Sequence, residues 1–160
     1  MSNQLPMLSF YDLTNPITID WHIKWAVEHG ITSFCMFIAP HENPPEEVND
    51  GSMMTYYRDG FLKAKYKDRI KFSAVLDTRN YNQYENECIR DDSIEKDIEV
   101  LSKYYFNQLN YDKIDGKPVL YLFGTYYYLC NDNCKNEKER ENLLKSHIES
   151  IRETAKKKWI

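Results

Sequence analysis

The chain has 160 residues, of which 42% are apolar and 29% charged, and its net charge is −4. Such a composition is that of a globular domain and excludes a disordered chain, since single domains usually span about 50 to 250 residues. The acidic balance argues against a nucleic-acid partner, because phosphate binding requires clustered lysine and arginine. No apolar stretch reaches the ~20 residues of a membrane-spanning helix. We therefore expect one domain over residues 1–160 with no membrane span.

The first residues, MSNQLPML, contain neither a basic region nor a long apolar run. A secretory signal sequence combines both features. The sequence therefore predicts a cytoplasmic location if this N-terminus is authentic.

Helical and strand-like patterns alternate along the chain. Helices are predicted from apolar side chains that recur every three or four residues, over 17–29, 53–67, from Asp92-Ser93 onward, and over 136–158. Strands are predicted from short apolar, β-branched runs, over 32–39, 70–76 and 118–123. The run 32–39 is typical of a strand buried on both faces, which places Cys35 in the core as a small apolar side chain. A turn is predicted over 111–117, before the third strand.

This alternation predicts an α/β fold with a parallel sheet and right-handed crossovers. Three strands are few for a finished domain, so we interpret the chain as a partial, (β/α)8 TIM-barrel-like segment. It is expected to contain about three parallel strands and three to four helices, with the helices all on one side of the sheet. Open sheet edges recruit other chains, so self-association through these edges is expected.

The cysteines and the polar loops carry no clear cofactor signature. Cys130 and Cys134 form a single C-x3-C pair, whereas zinc sites usually combine two close pairs of ligands. A metal site and a local disulfide in an oxidising compartment remain the alternatives. We predict free thiols, with no metal and no organic cofactor.

Three segments together resemble the glycoside hydrolase family 99-like domain, a group that includes the WbsX-type glycan-processing proteins of polysaccharide loci. They are NPITIDWHIKWAVEHGITSF, FLKAKYKDRIKFSAVL and KYYFNQLNYDKIDGKPVLYLF. The resemblance implies a (β/α)8 barrel that acts on a glycan, with its active site at the carboxyl ends of the strands. It also aligns Leu76-Asp77-Thr78 with a Trp-Glu-Asn run of the relatives, so that Asp77 takes the place of the glutamate.

Two carboxylates are the candidate catalytic groups. Glycoside hydrolysis normally uses two carboxyl groups, one that donates a proton and one that acts as base or nucleophile. Asp77 follows the second predicted strand, and Arg79 is near enough in sequence to keep it ionised. Glu42 follows the first predicted strand and is the candidate partner. The alternatives are a loop cap for Asp77 and a solvated loop for Glu42.

Six further residues are candidates for substrate binding: His41, Arg79, Asn80, Tyr11, Asp12 and Tyr126. Four of them follow strand ends, which meet at one edge of a parallel sheet. Tyr126 belongs to a run of three tyrosines that offers rings for stacking on a sugar, or anchors a loop. The resemblance implies the same role for Tyr11 and Asp12, which match a Tyr-Asp motif of the family; helix capping is the alternative for Asp12.

The sequence and the resemblance together favour a glycan-active domain that hydrolyses or processes glycosidic bonds of a polysaccharide by carboxylate acid/base chemistry. Carbohydrate is the expected partner. One alternative is a non-catalytic carbohydrate-binding or assembly module. Another is a WbsX-type glycosyltransferase of polysaccharide biosynthesis, although the sequence offers no Gly-rich or basic loop for a donor phosphate.

Overall fold

The computed structural model describes residues 11–38, 53–77, 91–124 and 136–159. Its helices are α1 (Pro16–Glu28), α2 (Met53–Thr55), α3 (Asp91–Leu101) and α4 (Glu137–Trp159). Its strands are β1 (Ser33–Ile38), β2 (Lys71–Asp77), β3 (Lys113–Ile114), β4 (Lys117–Pro118) and β5 (Leu120–Phe123). The protein is therefore an α/β protein, as the alternation of patterns predicts. None of these helices is long and apolar enough to cross a membrane.

The three longer strands form one parallel sheet in the order β1-β2-β5. Phe34 lies beside Phe72 in the register of β1 and β2, and Leu76 lies beside Leu122 in that of β2 and β5. The prediction of three parallel strands is confirmed. β2 is the central strand, and β1 and β5 form the two edges of the described sheet.

The helices cover one face of this sheet. Because side chains alternate between faces along a strand, Phe72, Ala74 and Leu76 share one face. Core residues of that face pack with side chains of the helical layer, among them Ile19, Ile23, Phe61, Leu101 and Tyr105. None of the residues on the other face of the described sheet belongs to this core. One-sided helical cover, predicted from the sequence, is what the described residues show.

The burial of the strands differs from the prediction. Only β2 is buried on both faces, whereas β1 and β5 alternate between more and less buried positions. Cys35, predicted to be buried, is exposed. The reason is its place on an edge strand and on the face that the helices leave uncovered, neither of which is visible in an apolar run.

Two helices differ from their predicted form. α1 begins as expected, with the Asn15 side chain accepting the Ile17 N–H at 3.0 Å, and it ends at Glu28, two residues before Gly30, which has φ of 78°. α2 is short and continues as a π-helical turn over Tyr56–Phe61 rather than as a regular helix to residue 67. The wider turn places Tyr57, Gly60 and Phe61 together on the buried side. α3 likewise ends in a π-helical turn, Ser102–Phe106.

The predicted turn before the third strand is a small hairpin formed by β3 and β4. Asp115 and Gly116 at its tip have φ of 51° and 76°, as a tight hairpin turn requires. Just before the hairpin, the Tyr111 hydroxyl accepts the Ala74 N–H at 3.0 Å and donates to the Val119 carbonyl at 2.6 Å. These bonds tie the entrance of β5 to the middle of β2.

Candidate functional site

Asp77 lies at the carboxyl end of the central strand. It is the last residue of β2 and is adjacent in register to Phe123 of β5. Its exposure is 8%, so the carboxylate is largely removed from water. Buried carboxylates are rare unless other groups hold them in place. This position is the one that catalytic carboxylates occupy in enzymes built on parallel β/α units.

The alternation of side chains fixes the face to which Asp77 points. Asp77 shares its face with Val75, and Val75 lies beside Phe37 in the register of β1 and β2. Leu76 between them belongs to the helix-covered face. Asp77 therefore points to the face without helical cover, together with Phe37 and Phe123.

Phe37 and Phe123 form an aromatic pair on this face. Their ring centroids are 5.1 Å apart with an angle of 78° between the ring planes, which is the edge-to-face geometry that aromatic rings favour. The two rings come from the strands on either side of β2 and meet across it. Phe123 is 42% exposed, whereas Val75 beneath the pair is buried. The face thus places an exposed ring next to a buried carboxylate.

Five of the predicted site residues lie outside the described residues: His41, Glu42, Arg79, Asn80 and Tyr126. The proposed carboxylate pair of Asp77 and Glu42 therefore stays a prediction. The ion pair between Arg79 and Asp77, which would keep Asp77 charged, also stays a prediction.

Tyr11 and Asp12 lie immediately before α1 and make local contacts. The Asp12 carboxylate accepts the Thr14 N–H at 2.8 Å and the Thr14 hydroxyl at 2.7 Å, and these bonds lower its pKa. The Tyr11 ring packs edge-on against His22 at 5.3 Å between centroids. Both residues are exposed. These contacts form a local turn before α1, whose N-cap is Asn15 and not Asp12. A contact with substrate stays a prediction for both residues.

A second polar cluster lies at the opposite, amino end of the same sheet face. The Asp112 carboxylate accepts hydrogen bonds from the Ser33 and Ser73 hydroxyls, and the Lys71 ammonium lies 4.0 Å from it. These bonds join the segment before the β3–β4 hairpin to β1 and β2. We assign this cluster a structural role.

The sequence interpretation missed the aromatic pair. Phe37 and Phe123 fall inside runs that predict buried strands, so they read as core. Only the register of the three strands brings these two rings close to Asp77. The sequence of one strand does not reveal its register with another. Within the described ranges, no three His, Cys, Asp or Glu side chains are arranged to hold a metal ion.

No protein-family model, curated protein or solved structure matches this chain. The class of the protein is therefore defined by its own architecture, an α/β chain whose parallel sheet carries helices on one face.

Proposed function

We propose that this protein is a glycan-active domain that hydrolyses or otherwise processes glycosidic bonds, built on a segment of a (β/α)8 barrel. The observation that carries the proposal is the position of Asp77, a buried carboxylate at the carboxyl end of the central parallel strand, on the face without helical cover. In a closed barrel that face becomes the interior, and its carboxyl end becomes the active site.

The aromatic pair supports a carbohydrate as the substrate. A pyranose ring has an apolar face of C–H groups and an edge of hydroxyls. The exposed ring of Phe123 suits the first, and the Asp77 carboxylate accepts hydrogen bonds from the second. Both groups come from neighbouring strands of a rigid sheet, which restricts how a sugar can lie on them.

In the proposed reaction Asp77 supplies one of two carboxyl groups and Glu42 supplies the other. A separation of about 5 to 5.5 Å between them would make one the nucleophile of a retaining enzyme, whereas about 6.5 to 9.5 Å would leave room for the water of an inverting enzyme.

Turnover of chromogenic aryl pyranosides by the Asp77→Asn variant tests this function. The amide keeps the shape of the side chain but neither donates nor accepts a proton in the reaction, so turnover should fall by about 10²- to 10⁴-fold. The matched control is Asp68→Asn, which changes an exposed aspartate of the Lys67–Arg69 turn. Equal turnover of wild type and Asp77→Asn would contradict a catalytic role.

A non-catalytic carbohydrate-binding module is the second candidate, and the aromatic pair favours it independently of any reaction. A ring platform binds sugars whether or not a second carboxylate is in place. The two functions separate experimentally, because the Phe123→Leu variant should weaken sugar binding in both cases, whereas Asp77→Asn removes turnover only in an enzyme.

A further inference from the structure

A groove of about 600 Å³ runs along the outer edge of β1. Four consecutive residues of β1, Phe34 to Phe37, form one wall. The helical layer forms the other wall through residues of α1, the loop that follows it, and α2, among them Trp25, His29 and Met53. The groove is therefore bounded on one side by strand backbone and on the other by side chains of the helical layer.

The backbone of β1 has hydrogen-bonding groups directed into this edge. The Lys71 N–H donates to the Thr32 carbonyl at 3.0 Å, so Thr32 and the alternate residues after it face β2. In a parallel pair the residues between them direct their N–H and C=O groups the other way. These residues are Ser33, Cys35 and Phe37. Within the described part of the chain, no backbone group bonds to them on that side.

The described lining of the groove is uncharged. Of the described residues that line it, none is lysine, arginine, aspartate or glutamate. Burial lowers the pKa of His22, which favours its neutral form, and the His29 Nδ1–H donates to the Trp25 carbonyl at 2.7 Å. A charged segment would lose its hydration here without a partner. The complementary occupant is an uncharged one.

We propose that this groove binds an extended, uncharged peptide segment of another polypeptide, which adds to β1 as a further strand in the position that a neighbouring strand holds in a closed barrel. Its backbone would pair with Ser33, Cys35 and Phe37, and its alternate apolar side chains would fill the space beneath α1. Strand addition of this kind combines backbone hydrogen bonds for affinity with side-chain pockets for selectivity.

A second copy of this chain suits the groove less well. β1 has six residues and is ~20 Å long. The sheet layer and the helix layer are each ~10 Å deep, so the surface along this edge that a partner could bury is ~400 Å². A standard interface buries ~800 Å² on each partner. In addition, α1 already lies over the edge, so a second β1 would bring a second α1 into the same space. The self-association expected from open sheet edges is therefore disfavoured at β1, because the two α1 helices would occupy the same space. A peptide strand without a helix does not meet this obstacle.

The experiment is an NMR titration of the full ¹⁵N-labelled chain with a ten-residue peptide of alternating valine and threonine, flanked by lysines for solubility. The amides of Ser33, Cys35 and Phe37 should become protected from hydrogen exchange, and the Trp25 indole resonance should shift. The same peptide with N-methylated central amides should bind at least tenfold more weakly. Absence of binding by the first peptide, or equal binding of both peptides, would overturn the proposal.

Two variants locate the binding. Met53 is 55% exposed and lines the groove, so Met53→Glu should leave the fold intact and weaken the peptide by at least tenfold. The matched control, Leu109→Glu, changes a fully exposed leucine away from the groove and should have no effect. Equal loss in both variants would contradict the site. Light scattering tests the alternative that a second copy of this chain occupies the groove. A dimer of the free chain that is abolished by Met53→Glu would identify the second copy as the occupant and overturn the proposal.

Discussion

Asp77 and Asp97 are both buried aspartates, and they lie in different surroundings. Asp77 lies at a strand end on the face without helical cover. Asp97 lies on α3 and is fully buried beside core residues such as Ile98 and Leu101. Desolvation raises the pKa of Asp97 to about 8. This aspartate affects stability rather than binding.

The stability of the protein should depend on pH through Asp97. Its pKa is about 8 in the folded state and about 3.9 in the unfolded state, so the folded state holds an extra proton between these values. The contribution of Asp97 to the free energy of unfolding is complete below about pH 4. It is lost as the pH rises towards 8, at about 1.4 kcal/mol per pH unit. Urea unfolding of wild type and Asp97→Asn at several pH values measures this. The variant should lose most of the slope, and an unchanged slope would assign it to other groups.

Gly60 is the residue at which the π-helical turn after α2 touches the segment before α1. A Cβ atom at this position would overlap the Leu13 carbonyl oxygen and crowd Ile19. Because the obstacle is backbone, it does not move aside as a flexible side chain would. We expect Gly60→Ala to lower the free energy of unfolding by about 1–3 kcal/mol. Thermal unfolding checks this, with the exposed-surface change Lys65→Ala as the control; a Tm equal to that of wild type would show that the turn can shift.

At the scale of elements, the sequence predicts strands better than helix ends. The positions of β1 and β2 follow from short apolar runs, and the Asn15 cap and Gly30 mark both ends of α1. The two π-helical turns are different. They depend on contacts distant in sequence, since Tyr57 stacks on Tyr105 at 4.2 Å between ring centroids and its hydroxyl donates to the Tyr104 carbonyl at 2.8 Å. No local periodicity encodes such a contact.

β5 illustrates a second reason for a shifted boundary. The sequence predicts the strand over 118–123, but Pro118 belongs to the hairpin strand β4 and the parallel strand begins at Leu120. Pro118 pairs with Lys113 in the short hairpin and not with the parallel sheet. The Tyr111 hydroxyl donates to the Val119 carbonyl, directly before β5. This tie links residues that an apolar pattern does not connect.

At the scale of the whole molecule, the helices cover one face of the described sheet, and Asp77 lies on the other face. A doubly wound sheet would bury both faces beneath helices. Here the face with Asp77, Phe37 and Phe123 lies outside the described core. The order of helices and strands in the sequence predicts helices on one side of the sheet. The place of Asp77 after a predicted strand makes it a candidate site residue. The sequence does not predict the aromatic pair, because that pair arises from the register of three strands.

The central claim is that Asp77 and the aromatic pair form a sugar-binding surface, and an NMR titration with a panel of methyl pyranosides and short oligosaccharides tests it most directly. A binding sugar should shift the amide resonances of Phe37, Asp77 and Phe123, and Phe123→Leu should weaken that binding by at least tenfold. The matched control is Tyr66→Leu, which removes an exposed ring from the helical side. Shifts confined to other surfaces, or no shift with any sugar of the panel, would contradict the account.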